Sequence, residues 1–260
     1  MTHHRARKRF GQHFLHDRSI IERIVATLDP KAGERIIEIG PGQGALTREL
    51  LARVAHLDAV ELDRDLVATL NTRFPPDRLT LHQADALKFN FCRLAEPGNK
   101  LRLVGNLPYN ISTPLLFRVL DQHACIRDML FMLQKEVVDR LSAAPGGKEY
   151  GRLSVMIQYR CAVEKLFGVP PGAFRPVPRV DSAVVRLTPH VAAPVSVNDP
   201  ERFATVVRAA FASRRKTLRN NLTGLLPPEQ MLSLGIDPIR RAETLTLAEF
   251  AALSNAVPTP

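Results

Sequence analysis

No stretch of this sequence approaches the roughly 18 uncharged apolar residues that a bilayer-spanning helix needs. The N-terminus MTHHRARKRF is basic but has no apolar segment behind it. Neither a membrane anchor nor a secretory leader is expected, and the expected location is the cytoplasm. Cysteine is scarce: Cys92, Cys125 and Cys161 are odd in number and far apart. That pattern fits neither a disulfide framework nor a C-x-x-C metal pair, so inert thiols and no bound metal are expected. Internal repeats and low-complexity tracts are also lacking, which sets aside repeat architectures.

What is present is a globular composition with a strong excess of positive charge. Of 260 residues, 45% are hydrophobic, and the formal net charge is +10. One large domain plus a small accessory one suits that length. The basic residues cluster at Arg5, Arg7, Lys8 and Arg9, and again at Arg214, Arg215, Lys216 and Arg219. Such clusters attract phosphate backbones through charge and counterion release, whereas an acidic small molecule needs only one or two cations. A merely solvated surface is the alternative for charge alone.

Hydrophobic periodicity predicts an amphipathic helix over His16 to Leu28, with Ser19 and Glu22 spaced as a capping box. From Arg35 onward, short apolar runs (RIIEI, LDAVEL, RLTLHQ, LRLVGN, MLFML) alternate with helical patterns. Alternation of this kind means an α/β fold, a parallel sheet covered by helices. VEKLFGV and SAVVRL follow, joined by the proline-rich VPPGAFRPVPRVD. A loop so long and stiff between two strands usually has a task. Pro189 to Pro200 reads as a linker, and the basic stretch beyond Arg208 reads as helical. Thr246 and Glu249 form another capping box. The expected division is residues 1–190 as the main domain and 198–260 as a small helical one.

Ile36-Ile37-Glu38-Ile39-Gly40-Pro41-Gly42-Gln43-Gly44 reads as a buried strand running into a glycine turn and a helix. Glycines there let a ligand approach the backbone, and the helix start offers free amides. Glu61 ends the next strand, where a carboxylate can accept both hydroxyls of a ribose. The spacing is G-x-G-x-G, which disfavours a dinucleotide. Taken alone, the stretch also fits a tight strand-to-helix turn. Asp85 follows the third strand and either accepts from an adenine amine or caps a helix.

Asn106-Leu107-Pro108-Tyr109 follows the fourth strand, at the carboxyl edge where open α/β sheets bind ligands. An adenine exocyclic nitrogen is a poor nucleophile because its lone pair is delocalised into the ring. Accepting its two hydrogens, on the Asn106 side-chain oxygen and on a carbonyl near Leu107 or Pro108, would favour a pyramidal nitrogen with a usable lone pair. Pro108 stiffens that backbone, and Tyr109 offers a ring for stacking. By itself the tetrapeptide also fits an ordinary strand-ending turn with a buried tyrosine.

With these residues in this order, the chain resembles the ribosomal RNA adenine dimethyltransferase family, its bacterial small-subunit (16S) branch above all. The likeness runs through KRFGQHFL, EIGPGQGALT, VELDRDL, QADAL, GNLPYNISTPLL, FMLQKEVVDRL, YGRLSV, VPPGAFRPVPRVDSAVVRL and RRKTLRNNL. It implies a Rossmann-like class I S-adenosylmethionine-dependent methyltransferase fold with a small C-terminal α-helical, rRNA-binding domain. The implied reaction is dimethylation of the N6 amines of two adjacent adenosines in the loop of the 3′-terminal hairpin of 16S rRNA, with a role in ribosome biogenesis. The resemblance assigns Gly40 and Gly42 to the donor's methionine end, Glu61 to its ribose, Asp85 to its adenine, and Asn106 to donor and target. It also brings His13 and Leu15 over the donor. Where the family commonly has asparagine this chain has His13, so only a backbone contact carries over there.

The resemblance places Phe174 on the second face of the target base, opposite Tyr109, although a hydrophobic plug among prolines is the alternative. It implies S-adenosyl-L-methionine as donor without a metal, the small ribosomal subunit or its precursor as partner, and a monomer. The target base must leave its stack to enter such a slot. Two rivals remain: an enzyme of the same superfamily acting on large-subunit rRNA, which commonly has isoleucine at the place of Leu107, and a relative that only binds.

Overall fold

The computed structural model describes residues 12–258. The basic cluster Arg5, Arg7, Lys8 and Arg9 lies outside the described residues. The chain divides into two compact units, one formed by residues 1–138 with 164–189 and the other by 139–163 with 190–260. The second unit thus recruits Asp139–Val163 from the middle of the sequence, a segment that the expected division at 190 and 198 leaves in the first.

The first unit begins with β1 (Phe14–Leu15) and α1 (Arg18–Leu28), whose buried face is Ile21, Ile24, Val25 and Leu28. Its cap is Asp17, not Ser19: the Asp17 carboxylate accepts from the Ser19 and Ile20 amides at 2.9 and 3.2 Å. The extended Asp17 backbone puts that carboxylate over the first free amides, ahead of the position that the capping-box spacing implied.

There follow β2 (Arg35–Ile39), α2 (Ala45–Leu51), β3 (Leu57–Glu61), α3 (Arg64–Arg73), β4 (Leu79–Gln83), β5 (Leu101–Asn106), α4 (Ser112–Leu120), β6 (Ile126–Gln134) and α5 (Lys135–Leu141). Then come α6 (Arg152–Arg160), which belongs to the second unit, and β7 (Cys161–Val169), β8 (Phe174–Arg175) and β9 (Ser182–Pro189). The seven-stranded sheet has the order β4-β3-β2-β5-β6-β9-β7. Strands β4 to β6 pair in parallel, and β9 runs antiparallel to β6. Strands β3 and β4 lie on one side of β2, and β5 and β6 on the other. The strand order therefore reverses between β2 and β5, and their carboxyl ends open a crevice where such sheets bind ligands. Ile37, Leu57, Leu103 and Phe131 have no exposed surface, as strands covered on both faces require.

The structure corrects the cysteine reading. Cys92 and Cys125 form a disulfide with their Cα atoms 5.5 Å apart, while Cys161 is a free, buried thiol. Thirty-three residues separate the pair, but the Gln122 side chain accepts from the Phe91 amide at 2.6 Å and donates to the Phe89 carbonyl at 3.1 Å. That bridge brings the two loops together, which spacing alone does not reveal. Burial pushes the Cys161 thiol up to about 12, so it stays protonated.

In the second unit, α7 (Pro200–Ala210), α8 (Leu218–Asn221), α9 (Pro228–Ser233) and α10 (Leu247–Ala256) enclose a separate core. Phe203, Val206, Val207, Phe250 and Leu253 fill it, with the Phe203 ring against Tyr159 at 4.6 Å. Thr246 and Glu249 form the capping box that starts α10. Among the described residues no helix is long and apolar enough to cross a membrane.

Candidate active site

The crevice at the β2/β5 reversal is a cavity of about 290 Å³, at the lower end of the range for small-molecule sites. Its lining brings together His13, Leu15, Gly40, Gly42, Glu61, Asp85, Asn106, Leu107, Pro108 and Tyr109. These come from four strand ends and the segment before α1, so His13 and Tyr109, 96 positions apart in the chain, share one pocket.

The loop after β2 shows why glycine is needed. Gly42 has φ +57°, and a Cβ there would stand 3.0 Å from the Phe14 ring. The chain before α1 thus lies directly on the glycine turn, held also by a bond from the Gln12 amide to Asp63 at 3.2 Å. The Gly42 amide donates to one Glu61 oxygen at 3.2 Å and the Asp63 amide to the other at 2.9 Å. Each oxygen keeps acceptor capacity for a hydroxyl. Asp85 accepts from the Leu87 amide at 3.0 Å through one oxygen, so it holds its own turn while lining the cavity.

Asn106 ends β5 with its side-chain amide donating to the His13 carbonyl at 2.8 Å. Since that amide nitrogen is already engaged, its oxygen is the group oriented as an acceptor. The Leu107 amide donates to Met132 at 3.1 Å and the Ile111 amide to the Pro108 carbonyl at 3.2 Å. Among the described residues no donor is bonded to the Leu107 carbonyl, which makes it the freer of the two main-chain acceptors considered. The Tyr109 hydroxyl shares a hydrogen bond with Ser182 Oγ at 2.7 Å. That bond fixes the ring, and burial raises the phenol's pKa so that it remains neutral.

One expectation from the resemblance is corrected here. Phe174 does not line the cavity: it is fully buried in the core with Leu15, Ile24, Val169 and Ala173. Strand alternation is the reason, because β8 pairs with β1 through Leu15 opposite Phe174 and Phe14 opposite Arg175. Phe174 turns inward and Arg175 turns out. The ring that lies against Tyr109 is that of His13, with centroids 5.4 Å apart and planes at 23°. His13 Nδ1 donates to the Pro176 carbonyl at 2.7 Å, so this histidine has a side-chain role beside its backbone contact.

Arg214, Arg215, Lys216 and Arg219 all lie exposed in the second unit. They are not on one long basic helix. Arg214 to Lys216 occupy the turn between α7 and α8, where Arg214 donates to the Lys148 carbonyl, and Arg219 alone is helical.

Two residues of the site escape sequence reasoning. Glu38 lies at the cavity wall, almost fully buried, accepting from the Thr47 hydroxyl at 2.6 Å. Burial first, then its neighbour Glu61, raises its carboxyl to about 7. A charged residue inside an otherwise apolar strand is the available signal. Gly105 is the other: a Cβ there would overlap the Ile39 carbonyl of the adjacent strand. A glycine directly before Asn106 is visible in the sequence, but its cross-strand neighbour is not. Among the described residues no group of three or more side chains could hold a metal.

A family model described as ribosomal RNA adenine dimethylase matches residues 3–258. The ribosomal RNA small subunit methyltransferase A of Pseudomonas aeruginosa is 57% identical over 97% of this chain and 94% of its own length. The protein of that name from Thiobacillus denitrificans is 58% identical over 96% of this chain and 97% of its own length. Among solved structures, a dimethyladenosine transferase from Plasmodium falciparum shares the fold with a TM-score of 0.78 at 24% identity, over 93% of this chain and 96% of that one. The 23S rRNA methyltransferase ErmE aligns with a TM-score of 0.72 at 25% identity, over 94% and 99%.

Proposed function

Because this chain belongs to the ribosomal RNA adenine dimethylase family, we propose that it dimethylates the N6 amines of two adjacent adenosines in the loop of the 3′-terminal hairpin of 16S rRNA, with S-adenosyl-L-methionine as donor. The observation that carries this reading is the Asn106 side chain at the end of β5, its nitrogen held by the His13 carbonyl and its oxygen left to accept. The names of the relatives favour the small subunit over the large one.

The cavity fits such a donor. Glu61, held by two backbone amides, suits the ribose hydroxyls, and Asp85 with one oxygen committed suits an adenine amine. The Gly40 to Gly42 turn admits the methionine end where a Cβ at position 42 would crowd Phe14. The donor supplies a methyl group already activated on a sulfonium, so the protein's own residues chiefly align and desolvate. Asn106 Oδ1 and the Leu107 carbonyl accept from the target amine, Tyr109 offers its ring to the base, and the Gln12 to Leu15 segment shuts out water. After the first methylation one hydrogen remains on the nitrogen, so the pocket must tolerate a lost bond.

The protein works as a cytoplasmic monomer on the small subunit or its precursor during ribosome biogenesis. Arg214, Arg215, Lys216 and Arg219 bind the rRNA backbone. Reversing the charges of Arg214, Arg215 and Lys216 weakens subunit binding and flattens its salt dependence if so; an unchanged slope leaves them as solvated surface. The decisive experiment for the activity is mass mapping of modified nucleotides after incubating small and large subunits with protein and labelled donor. Two dimethylated adenosines in 16S rRNA support the reading, and label confined to the large subunit overturns it.

A further inference from the structure

The loop between β8 and β9 is not accounted for by donor binding or by the Asn106 chemistry, yet it is held firmly. Pro170, Pro171, Pro176 and Pro178 restrict its backbone and the approach to it. It is pinned at both ends to the site. The Pro176 carbonyl receives the His13 ring, the Asp181 carbonyl receives the Lys135 amide at 2.9 Å, and Ser182 holds the Tyr109 hydroxyl. Both His13 and Tyr109 line the cavity, so the loop forms the rim beside the ring on which a base would stack.

Its outward surface is unusual for a rim that only closes a small-molecule site. Val177 and Val180 are 62% and 43% exposed. Arg175 and Arg179 are exposed as well, and among the described residues neither guanidinium has a hydrogen-bond or ion-pair partner. Pro178 between them is buried and anchors the loop to the body. Apolar and cationic side chains therefore alternate along a rigid rim, next to a cavity that already holds its polar ligand groups inside. Asp181 is the loop's one acid and sits at its far end.

The unpaired arginines call for an anion, and the exposed valines call for something flat or apolar beside it. An unpaired RNA strand offers both, as phosphates and as the sugars and base edges exposed when a nucleotide leaves its stack. Arginine matches phosphate with two parallel N–H donors, and a loop ordered beforehand loses little freedom on binding. We propose that Arg175 and Arg179 bind the phosphates flanking the target nucleotide, with Val177 and Val180 packed against the sugars between them. The loop then draws an unpaired strand across the cavity mouth and presents one base to Tyr109. This inference rests on the adenosine-methylating reading above.

The test is the Arg175→Gln/Arg179→Gln double variant, assayed on small subunits at saturating donor. Loss of two charge-assisted contacts raises KM for the subunit about tenfold or more, with kcat within roughly twofold and donor affinity unchanged. Binding of a single-stranded RNA oligonucleotide becomes less salt-dependent, its log–log slope shallower by about 1.4 for two phosphates. Arg175→Lys/Arg179→Lys keeps that slope and loses part of the affinity. An unchanged KM and slope in the Gln variant overturns the proposal, and so does a parallel loss of donor affinity and melting temperature, which would make the arginines structural. If the wild type transfers no methyl to adenosine, the functional reading falls. A salt slope that still drops in the Gln variant would then uphold the strand-binding loop by itself.

Discussion

Asn106 and His13, 93 residues apart in sequence, are joined by a 2.8 Å hydrogen bond from the Asn106 side-chain amide to the His13 main-chain carbonyl. The bond decides which end of the Asn106 amide faces the cavity. It also ties the orientation of the acceptor to the position of the segment before α1, whose His13 carbonyl receives the bond.

Asn106→Ala removes the acceptor and is expected to lower kcat by roughly a hundredfold or more, the scale of a misaligned reacting group. Subunit binding is expected to stay intact, because the cations proposed to serve it are other residues. Single-turnover methylation alongside a subunit-binding assay checks this, and equal kcat would remove Asn106 from the mechanism.

His13→Asn keeps the main-chain carbonyl that Asn106 uses and loses the ring on Tyr109. Donor affinity is expected to change by no more than about 0.5 kcal/mol, roughly twofold, as measured by calorimetry. A large loss would mean that the imidazole itself holds the donor.

Gly105→Ala forces a methyl group into the Ile39 carbonyl of the neighbouring strand. The expected cost is about 1–3 kcal/mol of stability together with weakened donor binding, since both strand ends carry site residues. Gly168→Ala serves as the control: a Cβ at that position would meet nothing within 4 Å, and its melting temperature should not fall.

Glu38 carries the pH dependence. Its carboxyl is raised from an ordinary 4.5 to about 7, so the folded protein holds a proton there that the unfolded chain releases. The stability contributed is fully present below 4.5 and lost as pH rises through about 7. Burial raises Glu61 in the same direction. Glu38→Gln cannot titrate, so the fall in melting temperature of the donor-free protein between about pH 5 and 8 should be shallower than in the wild type. Parallel pH profiles would show that Glu38 does not carry that proton.

Much of this site is legible in sequence because the candidate groups lining its cavity sit at strand ends, where residue type and order suffice. The runs RIIEI and LDAVEL form β2 and β3, with Gly40 and Glu61 at their carboxyl edges as the pattern predicts. Asn106 likewise closes β5. The expectation for Phe174 fails because its direction depends on pairing with a two-residue strand 159 positions away, which no local pattern encodes.

The order of glycines, acids and the Asn106 tetrapeptide along alternating strands and helices by itself determined an α/β fold with candidate ligand groups at its strand ends, while the donor and the reaction expected came from the resemblance of the quoted motifs to a family. The fold and its candidate groups follow from local periodicity and from the chemistry of single side chains. Only the tertiary structure decided that His13 lies on Tyr109, that Cys92 meets Cys125, that Asp139–Val163 joins the second unit and that Gly105 touches Ile39. Each of these depends on packing between segments distant in sequence, and such contacts exist only once the chain has folded.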